Sequence, residues 1–102
     1  MKFRINNSLS HSIPIIIRKC GYSRIFDHKS QKESFVRLLT GNRYPRFHLY
    51  VSEENTEIIF DLHLDQTRSR IAGQTAHRAD YESEEVRDEL TRIYLCVQRY
   101  IK

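Results

Sequence analysis

Glycine is scarce in this chain, three residues in 102, and tryptophan is missing. No G-x-x-x-x-G-K-[ST] or G-x-G-x-x-G loop exists, which excludes the usual backbone cradles for nucleotide phosphates. There is no nucleophile elbow, so serine-triad hydrolysis has no local signature. The only cysteines, Cys20 and Cys96, have neither C-x-x-C nor zinc-finger spacing. They read as small buried hydrophobes. Long apolar runs are missing too. The most apolar stretch, 13–17, contains Pro14 and is far too short to span a bilayer. The opening M-K-F-R-I-N-N-S-L-S-H-S has no apolar segment of signal-peptide length. These absences predict a cytoplasmic protein with no membrane segment.

Acids are nearly absent from the first half. Residues 1–50 hold ten Lys/Arg against two acids, whereas 51–102 hold seven against eleven. Such a basic half could meet the phosphate backbone of a nucleic acid. It could equally meet the acidic half of a second copy in a homo-oligomer.

The most informative stretch present is 57–65, E-I-I-F-D-L-H-L-D. Phe60, Leu62 and Leu64 alternate with Asp61, His63 and Asp65, the period of a half-buried strand. Residues 46–52 alternate in the same way, with Phe47, Leu49 and Val51 on one face and His48 and Tyr50 on the other. A turn at 53–56 joins the two. Residues 13–19, rich in isoleucine, read as a strand that pairs in a hairpin with 22–26. Residues 2–5 offer an optional first strand. Ser30 and Glu33 have capping-box spacing, and Phe35, Leu38 and Leu39 recur at helical intervals, predicting a helix over 31–40. Ser83 caps a second helix from 84 to about 101, with Val86, Leu90, Ile93, Val97 and Ile101 forming one apolar stripe. The expected fold is a single α+β domain over 1–102. Its antiparallel sheet has about four to five strands in the order β-β-α-β-β-α, with two helices packed on one face.

The candidate site lies on the polar side of 57–65 and in the aperiodic stretch 66–82, which is long for a connection in a compact domain. Asp61, His63, Asp65, His77 and Glu82 form a candidate ligand set for zinc, manganese or iron. Without a metal, His63, His77 and Asp65 are candidate acid/base and orienting groups. Arg68 and Arg70 would meet phosphate. The competing reading is a solvated strand face, since antiparallel strands show polar residues to water by default. Arginines interleaved with Tyr22, Tyr44 and Tyr50 add a weaker pointer to nucleic acid.

The segments Y-P-R-F-H-L-Y-V at 44–51, F-D-L-H-L-D-Q at 60–66 and H-R-A-D-Y at 77–81 resemble those of a family of small uncharacterised bacterial proteins. The resemblance covers about residues 20–93 and implies that the strand and the following loop form one pattern. It supplies no activity, and Asp80 stands where that pattern usually has glutamate. The expected function is therefore a His/carboxylate site, metal-dependent or not, that acts on or binds nucleic acid or another phosphate-bearing ligand. The alternative is a non-catalytic protein-interaction or self-associating module.

Overall fold

A computed structural model describes residues 1–28, 30–68, 77–80 and 82–102. The chain runs β1 (Lys2–Asn6), α1 (Ile13–Lys19), β2 (Ser23–Asp27), β3 (Lys32–Leu38), β4 (Arg46–Glu54), β5 (Glu57–Arg68), β6 (His77–Asp80) and α2 (Glu84–Gln98). The strands form one antiparallel sheet in the order β1-β5-β4-β3-β2. β6 also pairs with β5, beyond the stretch used by β1. The α+β class therefore holds, but the expected element order does not.

Two segments exchange their expected structures. Residues 13–19 are helical because Pro14 sits in the first turn, where its missing N–H costs nothing. Ser12 is extended before it, and Arg18 and Lys19 close the last turn, where cations are favoured. β-Branching lowers helix propensity only slightly, and burial of Ile16 and Ile17 outweighs it.

Residues 32–38 are a strand. Phe35 is buried, whereas Leu38 and Leu39 are exposed, so the helical stripe does not exist. Ser30 donates to Asp27 (3.0 Å), and Gln31 takes a left-handed conformation in the turn from β2 to β3. Glu33 lies 3.6 Å from Arg24 on the neighbouring strand instead of reaching back to Ser30. Ser34 and Val36 are buried on the other face of the strand from Phe35. Burial on both faces erased the alternation that would have marked it.

Both helices contribute to one core. Ile16, Ile17, Val86, Leu90, Ile93 and Val97 pack with Phe35, Phe47, Leu49, Phe60, Leu62 and Leu64 of the sheet. Cys20 and Cys96 are joined by a disulfide, their Cα atoms 6.0 Å apart, which ties the end of α1 to α2. The reading of two separate thiols is corrected, since a sequence separation of 76 gave no hint of the pairing.

Near α1, Glu89 accepts hydrogen bonds from the Tyr22 hydroxyl (2.7 Å) and Arg92 (2.8 Å), and Arg37 lies 3.5 Å away. Ser83 caps α2 as expected, its hydroxyl accepting from the Val86 amide (3.2 Å). Ser83→Ala should cost about 1 kcal/mol in urea unfolding. An unchanged midpoint would show that the cap is unimportant. Among the described residues no helix is long and apolar enough to cross a membrane.

Candidate metal centre on the face away from the helices

The β4–β5 hairpin builds the site. Asn55 takes a left-handed conformation in a tight turn that pairs Glu54 with Glu57. This register sets His48 opposite His63, Arg46 opposite Asp65 and Tyr50 opposite Asp61. All six side chains share the sheet face opposite the core, because Phe47, Leu49, Leu62 and Leu64 alternate with them.

Three of these residues are buried although they are polar: His48, His63 and Asp65, the last with no exposure. Asp65 is the hub. Its Oδ2 accepts from His48 Nδ1 (3.0 Å) and Arg46 Nε (3.1 Å), and its Oδ1 accepts from His63 Nε2 (2.6 Å). Burial alone would raise the Asp65 pKa. The hydrogen bonds from His48 and His63 outweigh it and hold the carboxyl well below the ordinary range. Asp65 is therefore an anion in the folded chain, and a carboxylate accepts without donating.

The second His48 nitrogen, Nε2, bonds to Ser34 Oγ (2.7 Å) on β3. Both edges of that imidazole are thus fixed. The His48 ring stacks on Tyr50 (centroids 4.5 Å apart), and the His63 ring lies 5.0 Å from that of His48. Arg46 is held by Asp65 on one side and by the Tyr44 ring, 4.7 Å below its guanidinium carbon, on the other.

One ligand atom from each of His48, His63 and Asp65 lies within 4.8 Å of the others. Two imidazoles and a carboxylate are a donor set suited to zinc, manganese or iron. His48 is the residue that the sequence reading missed as a ligand. A signal existed: a two-residue turn at Asn55-Thr56 sets it opposite His63.

Of the expected set, the structure joins His63 and Asp65. Asp61 is not in the cluster; it is half-exposed, 3.6 Å from the N-terminal ammonium. Glu82 is exposed and also outside it. β6 runs back antiparallel along the edge of β5, its His77 backbone in register with Arg68 and Ala79 with Asp65. The side chains of Arg68, His77 and Asp80 and the whole of Arg70, Gly73 and Tyr81 lie outside the described residues.

The charge imbalance is partly settled within the chain. Arg4 lies 3.8 and 3.7 Å from Glu54 and Glu57, Arg37 pairs with Glu89, and Arg46 with Asp65. The basic half thus meets acids of its own second half. Comparison of the chain with protein-family models, curated proteins and solved structures finds no match.

Proposed function

We propose that the protein holds one divalent cation, zinc, manganese or iron, on His48, His63 and Asp65, and uses it to bind or act on a phosphate-bearing ligand. The observation that carries this reading is the convergence of three buried ligand atoms within 4.8 Å. The cation would take the place of the two N–H groups that now point at Asp65, through His48 Nδ1 and His63 Nε2. Ser34 then accepts from His48 Nε2–H, the kind of outer hydrogen bond that fixes a metal-binding imidazole. A cation here would polarise a phosphoryl oxygen or a bound water, and Arg46 would add positive charge beside it. The strand-and-loop likeness to small bacterial proteins brings no activity, so this reading rests on the geometry.

Calorimetric titration of the purified chain with zinc and manganese tests it. One saturable site is expected, weakened more than about 100-fold in His48→Ala and His63→Ala and about 10–100-fold in Ser34→Ala. Affinity should fall as the solution is acidified, because both imidazoles must be neutral to ligate. No binding in the folded wild type would remove the reading.

A second reading, a non-catalytic interaction or self-associating module, is favoured by one observation. Among the described residues every buried polar side-chain atom has a hydrogen-bond partner, so the cluster is already satisfied as a structural tie. Exposed Ile15 and Leu95 would then be candidates for partner contact. The expected cytoplasmic setting stands against the Cys20–Cys96 bond, since disulfides persist mainly where surroundings oxidise.

A further inference from the structure

A groove of about 690 Å³ lies beside the cluster, and Arg46 belongs to both. Its lining also includes Ser23 and Ile25 of β2, Val36, Arg37 and Leu38 of β3, and Arg43 of the following loop. Ile25 pairs with Ser34, the residue that holds His48, so the groove runs directly alongside the centre. Its size falls within the range of about 300–1,000 Å³ typical of small-molecule sites.

Its chemistry divides in two. Ile25, Val36 and Leu38 make an apolar floor. Arg43 and Arg46 make a cationic end. Arg43 is exposed and has no acidic partner among the described residues. Of the Arg46 guanidinium, only Nε is hydrogen-bonded among the described residues, which leaves its terminal nitrogens available to an anion. The loop that carries Arg43 is closed by the Leu39 amide donating to the Pro45 carbonyl (3.2 Å), so the two arginines are held near each other.

We infer that this groove binds an organic phosphate monoester of about nucleotide size, its phosphate on Arg43 and Arg46 and its organic part over Ile25, Val36 and Leu38. The inference rests on the metal-centre reading, for which it supplies the ligand class. A single-stranded nucleic acid fits less well. Strand binding needs a row of free cations that follows a backbone, whereas Arg4, Arg24, Arg37 and Arg46 are each paired with an acid, and of the groove's three arginines only Arg43 is not, among the described residues.

Calorimetry with adenosine monophosphate, p-nitrophenyl phosphate and inorganic phosphate tests this, with and without zinc. Both monoesters should bind more tightly than inorganic phosphate. Arg43→Glu should weaken them by about tenfold or more, as loss of a charge-assisted contact requires. That variant should keep its zinc affinity, because Arg43 touches none of the proposed ligands. Absence of monoester binding at millimolar concentration would overturn the inference, as would equal affinity in Arg43→Glu. A twelve-nucleotide strand that binds far more tightly, with steep salt dependence, would overturn it too. Zinc affinity, measured on the same samples without phosphate, reports separately on the metal centre. Zinc binding without monoester binding sinks only the groove, and monoester binding without zinc sinks only the metal.

Discussion

Asp65→Asn should abolish metal binding and destabilise the fold by about 3–5 kcal/mol, the cost of stranding buried charge and hydrogen-bond donors. Asp65, His48 and His63 are buried and cannot recover their loss through water, and Arg46, 13% exposed at the edge of a groove, recovers only part of its own. An asparagine keeps the shape but brings one acceptor oxygen and an amide donor. His48, His63 and Arg46 all direct N–H groups at the present carboxylate, and one oxygen cannot serve the three. Urea unfolding at neutral pH measures the loss. A change below about 1 kcal/mol would show that the hub contributes little.

The acid limb gives a second readout of the same residue. The Asp65 pKa is depressed on folding, so its stabilisation is complete above the unfolded value, about 4. It is lost as pH falls below that toward the folded value. The gap between wild type and Asp65→Asn should therefore be constant from neutral pH down to about 5 and narrow in stronger acid.

Glu89→Ala should be the next most damaging change, at about 2–3 kcal/mol. Glu89 is buried, and its burial would raise its pKa. Hydrogen bonds from Arg92 and Tyr22 outweigh that and keep it lowered. The truncation leaves the Tyr22 hydroxyl without its acceptor, with Tyr22 itself only 2% exposed. Arg92 and Arg37 are 43% and 38% exposed and can rehydrate, which keeps the loss below that of a fully buried pair. Arg92 also donates to the Cys20 carbonyl (2.8 Å), so the loss should appear in the packing of α1 against α2. Urea unfolding checks the magnitude. Tyr22→Phe should cost less, because it removes both the donor and the need for an acceptor.

The sequence made the site's strands legible more readily than its membership. Residues 46–51 of β4 and 60–65 of β5 alternate, and their apolar faces lie where the pattern puts them. His63 and Asp65 stand out because a polar face on a half-buried strand is visible one residue at a time. His48 requires a further step. It becomes a ligand only through the register across the Asn55-Thr56 turn, which pairs residues 15 positions apart. Ser34 was hidden by the mistaken helix at 31–40. Its segment is buried on both faces, and a short apolar run of that kind carries neither period. The exchange at 13–19 has the opposite cause. An isoleucine run suggests a strand, but Pro14 after an extended Ser12 starts a helix, and the apolar residues are satisfied in either form. The acidic partners of Arg4, Arg37 and Arg46 lie far along the chain, so a count by halves overstated the free positive charge.

Titration with cobalt(II), followed by visible absorption, tests the central claim most directly. Cobalt on two imidazoles and a carboxylate gives ligand-field bands stronger than and displaced from those of the hydrated ion. The wild-type chain is expected to develop such bands to saturation at one cobalt per chain, and His48→Ala to lose them while remaining folded. If the folded wild type shows only the spectrum of hydrated cobalt at every ratio, then His48, His63 and Asp65 bind one another and not a metal.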